Sequence, residues 1–219
     1  IGFGQSTLTP NPVAITNTGS NYFAISAASA APALQQHRVA AFSRDLQGNG
    51  TNSTLRVQTI GTAPNQVCVI QWANYKKFGT NGTGDDMSFQ IRLYETTNRV
   101  EVVYGLFINN ANAGTAEVGL RGTSNADFNN RSTGATNPWL MSAPGTVNTS
   151  SVNYNGSGLT PNTGQIYRWD VYNLCTGTPA ANAVASTFTT ICPNGSSYMS
   201  LASSYSTAGL SYQWYVSNA

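Results

Sequence analysis

Charge is what this sequence has least of. Asp, Glu, Lys and Arg together make up 8% of its residues, about a third of the usual share in a globular chain. The ten basic residues are spread out, the densest group being Lys76-Lys77, with Arg38 and Arg44 isolated. A nucleic-acid surface needs a row of cations to release counterions from phosphates, so nucleic acid is not expected as a partner. No apolar run approaches the roughly 20 residues that span a bilayer, so membrane insertion is not expected either. No signal peptide is visible. The chain opens at Ile1-Gly2-Phe3-Gly4, already in a strand-like pattern, and reads as an interior piece of a longer protein.

The groups that most often carry chemistry are equally scarce. Histidine occurs once, at His37 beside Arg38, and no Gly-x-Ser-x-Gly elbow is present, so the many serines have no base to activate them. There are eight acidic residues. A glycosidase pair needs two carboxylates facing each other across a cleft, whereas Glu95, Glu101 and Glu117 lie on or beside separate strand patterns. Glu101 alternates with Val100 and Val102, which turns it to the wet face. There is no P-loop and no dinucleotide fingerprint. No catalytic residue is assigned, and a non-enzymatic role is expected.

Cysteine occurs three times, without a C-x-x-C pair, so these three and the one histidine lack the paired ligand spacing of a usual zinc site. Cys68, within Val67-Cys68-Val69-Ile70, reads as a buried thiol. Cys175 and Cys192 flank a short strand-like stretch. They pair with each other, or each pairs with a cysteine beyond Ala219; an odd count in an extracellular fragment favours the second arrangement.

What the sequence does have is neutral polarity. Asn, Thr, Ser, Gly and Gln replace the missing charge, and hydrophobic residues still amount to 40%, enough for a core. Thr, Tyr and Val on strands, with Asn and Gly at turns, make a β composition. The pattern agrees. Residues 54–60 alternate with period two, and residues 66–75 follow after Gly61-Thr62-Ala63-Pro64-Asn65. Residues 87–95 alternate Met87, Phe89, Ile91 and Leu93 against Ser88, Gln90, Arg92 and Tyr94. Residues 99–107 return across Thr96-Thr97-Asn98, a short hairpin loop. Shorter runs fall at 11–16, 21–26, 38–42, 115–121 and 165–172. Residues 122–164 read as long loops with short edge strands around Trp139-Leu140-Met141 and 151–154. The expectation is an all-β fold, an antiparallel β-sandwich of jelly-roll or lectin-like kind.

That sandwich is expected over 1–174, short of its first strands. Residues 175–183, with Thr176-Gly177-Thr178-Pro179, make a linker by chemistry. Residues 184–219 read as a partial Ig-like domain, with Tyr212-Gln213-Trp214 at the place of a core tryptophan.

Two loops have the oxygen-rich, glycine-permissive character of a calcium site: Asp45 with Asn49 in one, Asp85 with Asp86 in the other. The competing reading is a solvated turn whose carboxylates bond their own backbone. Trp139, after Asn137-Pro138, is the candidate for an exposed platform that stacks on a sugar ring; the competing reading is a tryptophan that pins its loop to the sandwich.

The stretch from Gln71-Trp72-Ala73-Asn74-Tyr75 through Asn81-Gly82-Thr83-Gly84-Asp85-Asp86 to Arg99-Val100-Glu101-Val102-Val103-Tyr104-Gly105 resembles a β-sandwich module of secreted bacterial surface proteins. Such proteins are long, repetitive and exported by the type IX secretion system, and many are adhesin-like. Pro161, Gly164, Tyr167 and Trp169 match the module's closing strand. Cys175, Gly177 and Pro179 match the lead into tandem Ig-like repeats. The resemblance implies surface display, attachment or extracellular structure, and no catalytic residue; the alternative expectations are a carbohydrate-binding lectin-like sandwich or an accessory domain of a secreted hydrolase. The partners it implies are the export machinery, neighbouring Ig-like domains and surface glycans.

Overall fold

The computed structural model describes residues 17–18, 21–22, 24–26, 36–109, 113–156, 158–171, 184–186 and 199–201. The chain divides into two units, Ile1–Asp170 and Val171–Ala219.

In the first unit, β1 (Asn17–Thr18) and β2 (Asn21–Tyr22) form a small hairpin. They are followed by β3 (Arg38–Ala40), β4 (Leu46–Gly48), β5 (Thr54–Ile60), β6 (Val67–Lys77), β7 (Asp86–Tyr94) and β8 (Val100–Ile108). Then come β9 (Gly114–Ala116), β10 (Gly119–Arg121), β11 (Phe128–Ser132), β12 (Ala143–Pro144), β13 (Val152–Tyr154) and β14 (Ile166–Trp169). The larger sheet runs β14-β8-β7-β6, and the far edge of β6 is shared by β4 at one end and β5 at the other. The smaller sheet runs β12-β11-β10-β3, and β13 pairs with β9. Every strand pairing is antiparallel. The fold is all-β, an antiparallel sandwich.

The alternation in the sequence accounts for the larger sheet. Met87, Phe89 and Ile91 on β7 and Val102, Tyr104 and Phe107 on β8 turn inward and are buried. They meet Val39, Phe42, Val118, Trp139, Val152, Tyr154, Tyr167 and Trp169 in one core. Register across β6 and β7 slips between Trp72 and Tyr75, where Asn74 takes a left-handed φ of 57°. Such a bulge resets which residues face in. Tyr75 lies opposite Met87, so Tyr75 and then Lys77 fall on the core-facing side.

Some expectations change. Cys68 is a free, half-buried thiol rather than a buried one. Glu101 does face away from the core, but it is covered there: Tyr94 Oη donates to it at 2.6 Å and Arg99 lies 3.8 Å away. Residues 122–164 are more ordered than their polarity implies, since Phe128–Ser132 forms β11 between β10 and β12.

In the second unit, β15 (Val184–Ser186) and β16 (Met199–Leu201) pair antiparallel. Cys175, Cys192 and Trp214 lie outside the described residues, as does most of the expected Ig-like segment.

Candidate functional site

Three strands of the larger sheet end together, and their last core-facing positions are polar. Lys77 closes β6. A 3-10 turn, Gly79–Gly82, reverses the chain and returns it to Asp85, just before β7. Asn109 follows β8. Tyr75 sits opposite Met87 and Asp86 opposite Ile108, so Lys77, Asp85 and Asn109 continue one cross-strand row, with Asp85 in the middle. Gly82 makes the turn possible: a Cβ there would run into the Lys77 carbonyl oxygen.

All three side chains are buried, with Lys77, Asp85 and Asn109 exposed by 5%, 1% and 3%. Lys77 Nζ lies 3.0 Å from Asp85 Oδ2, and Lys77 N donates to the same oxygen at 3.3 Å. Nζ also donates to Asn109 Oδ1. Its charge sits 4.9 Å from the centre of the Tyr154 ring, a cation–π contact in a dry setting. Arg44 Nε donates to Tyr154 Oη at 2.6 Å. Burial pushes the Lys77 amine below its ordinary value; Asp85 opposes this and Arg44 adds to it. Burial likewise raises the Tyr154 phenol, against the hydrogen bond from Arg44. Asn109 Nδ2 and Asp86 Oδ1 are buried atoms with no hydrogen-bond partner among the described residues.

The two loops proposed for calcium do meet here, but not as a calcium set. Asn49 Nδ2 donates to the Asp85 main-chain oxygen at 2.8 Å, and Phe78 N donates to the Asp45 main-chain oxygen at 2.9 Å. The Asp85 carboxylate is already on the Lys77 ammonium, so an internal cation holds the place a metal would take. Among the described residues, no three His, Cys, Asp or Glu gather closely enough to hold an ion.

Trp139 is no sugar platform. It is fully buried, with its Nε1 donating to Asn153 O at 2.7 Å and its own carbonyl accepting from Tyr167 Oη at 2.7 Å. Tyr104 meets its ring edge-on at 5.3 Å, and Tyr167 stacks on it at 6.5 Å. Pro138 turns the chain so that the indole enters the core, which is the pinning role.

The opposite end of the sandwich is more open. A cavity of about 340 Å³ lies between the strand ends, floored by Val39, Leu93, Val100 and Leu120, with His37 and Arg99 at its rim. His37 and the nearby Asn98 both have left-handed backbones, with φ of 53° and 50°. On the outer face of the smaller sheet, Glu117 accepts from Ile25 N at 2.7 Å and Ser26 N at 3.3 Å, and Arg121 Nη1 donates to Ile25 O at 3.1 Å. These contacts tie residues 24–26 to the sandwich. Burial raises the Glu117 carboxyl above its usual range, and the hydrogen bonds it accepts hold the rise back.

The third feature is an edge. Strand β5 pairs with β6 over its whole length but is exposed on both faces, with Leu55, Val57 and Ile60 at 55%, 68% and 47%. Leu55 lies opposite Trp72 and Val57 opposite Ile70, so these side chains sit on the core-facing side of the sheet. There they extend beyond the cover of the smaller one.

Sequence reading missed Lys77, Asn109 and Tyr154. The signal was parity. Asn109 follows Phe107 by two, Asp85 precedes Met87 by two, and a polar residue on the apolar parity of a strand is buried or it ends the strand. For Lys77 the bulge at Asn74 hid that parity.

A family model described as NIDO related matches residues 12–171. No curated protein and no solved structure matches. The match covers most of the chain, which belongs to the NIDO-related family, a module of extracellular type. Among the described residues, no helix is long and apolar enough to cross a membrane.

Proposed function

We propose that this NIDO-related module is a non-enzymatic segment of a larger secreted cell-surface protein of the adhesin type, a substrate of the type IX secretion system, working in attachment or extracellular structure. Its partners on this reading are the export machinery during secretion and neighbouring Ig-like domains of the same protein. The observation that carries the reading is β5. It is a seven-residue edge strand with Leu55, Val57 and Ile60 exposed, no proline and a single charge, Arg56. Soluble proteins usually protect such an edge with charge, proline or a covering loop. One left open and apolar suits contact with another surface.

The test uses cells that display the full-length protein. Leu55→Lys with Val57→Lys should lower attachment by about tenfold, equivalent to some 1.4 kcal/mol per contact event, while the module still melts cooperatively because both positions are exposed. Unchanged attachment with normal display would remove β5 as the contact. Saturable binding of the isolated module on a glycan array, unaffected by the same pair, would put a carbohydrate-binding sandwich in its place.

A further inference from the structure

We propose that the Lys77 side chain is joined to the Asn109 side chain by an intramolecular isopeptide bond, formed by the folded chain itself with Asp85 carrying the protons. The proposal does not depend on the attachment reading.

Geometry is the first ground. Lys77 Nζ contacts Asn109 Oδ1 directly, so the carboxamide carbon lies one bond beyond an atom the amine already touches. Two reacting groups fixed in that way act at effective concentrations of about 10⁵ M or more. Asp85 Oδ2 stands 3.0 Å from the same nitrogen. It touches the reacting atoms from the middle of the row and serves as the catalytic residue. The second ground is the leaving group: Asn109 Nδ2 is buried, and among the described residues no hydrogen bond ties the amide nitrogen down. The third is the medium. A lysine in a dry site loses the solvation that keeps it charged, and burial lowers the Lys77 amine. A neutral amine is the form with a lone pair to give.

The step balances without any co-reactant. A proton passes from the Lys77 ammonium to the Asp85 carboxylate. The Nζ lone pair forms a bond to Asn109 Cγ, and the carbonyl electron pair moves onto Oδ1, which the protonated Asp85 hydrogen-bonds. Asp85 then collects the proton left on Nζ as it delivers its own to Nδ2. The carbonyl re-forms, the Cγ–Nδ2 bond breaks and ammonia departs. Asp85 returns the last proton to the ammonia, which leaves as ammonium. One ammonium side chain and one carboxamide become one amide and one ammonium ion, with no change of oxidation state. The product ties the end of β6 to the end of β8 with β7 between them, closing the sheet end covalently where cysteine is absent.

The experiment is the intact mass of the folded, purified full chain after denaturation, followed by tryptic mapping. The expected mass is lower than the sequence mass by one ammonia. Trypsin should fail to cut after Lys77, and one branched peptide should contain residues 77 and 109. Lys77→Arg, Asn109→Ala and Asp85→Ala should each restore the full mass, the last while leaving both partners of the bond in place. A folded wild-type chain at full sequence mass, with residues 77 and 109 in separate linear peptides, overturns the proposal. So does an ammonia loss that maps to a succinimide at an Asn-Gly step such as Asn81-Gly82.

Discussion

Replacing Trp139 by Ala should destabilise the module by about 3–5 kcal/mol, the range for emptying a large aromatic site in a packed core. Chemical denaturation of the two proteins measures it. Trp139→Phe should cost less, because it keeps the ring contacts with Tyr104 and Tyr167 and loses only the indole bond to Asn153 O. Glu117 supplies a pH prediction. Its folded carboxyl titrates above its unfolded value because burial disfavours the charge. Between the two values the native state therefore holds more proton than the unfolded one, and stability falls as pH rises through that window. Glu117→Gln keeps an oxygen for Ile25 N and should remove the fall. A pH series of melts in which the variant and the parent keep the same slope would refute it. Single residues were the hardest scale to read in advance. Trp139 in a polar loop looks exposed because hydropathy ignores what lies beneath the loop. Cys68 looks buried because its strand is apolar, although β6 continues past the cover of the second sheet.

At the scale of the element, the hairpin of β7 and β8 was legible because parity agrees with burial from Met87 through Ile91 and from Val102 through Tyr104; beyond Tyr104 the register slips, so that Phe107 is buried and Leu106 exposed. Strand β11 was not. Phe128-Asn129-Asn130-Arg131-Ser132 has no apolar alternation. It is a strand because β10 and β12 flank it, and because Asn130 Nδ2 donates to the carbonyls of Val147, Asn148 and Ser150 at 3.0–3.1 Å. Such tertiary bonds leave no period in a sequence. The Gly79–Gly82 turn yields a prediction at this scale. Gly82→Ala would push a methyl group into the Lys77 carbonyl, open the turn and draw Asp85 off Lys77. The expected loss is on the order of 2 kcal/mol, typical of a backbone clash at a buried turn. An exposed control, Gly50→Ala, where a Cβ meets nothing within 4 Å, should lose less, through its positive φ alone. Equal losses would show that the approach to Lys77 does not limit the turn.

For the whole molecule, the question is which part folds alone. The NIDO-related match ends at residue 171, and the first unit ends at Asp170. That unit holds every residue of the aromatic core. A domain of its length buries roughly 70% of the surface its unfolded chain exposes, whereas chains near 40 residues seldom stand without disulfides, metals or a partner. The remainder, Val171–Ala219, is close to that limit. A chain cut after Val171 should therefore melt in one cooperative transition at the midpoint of the full chain. Residues 172–219 expressed alone should show no cooperative transition. The cross-link sharpens the comparison. Lys77 and Asn109 both lie in the first unit, so the cut chain should still weigh one ammonia less than its sequence. If instead the cut chain melts earlier and also carries the full mass, the second unit takes part in folding the first. The division at Asp170 would then not mark two independent folding units.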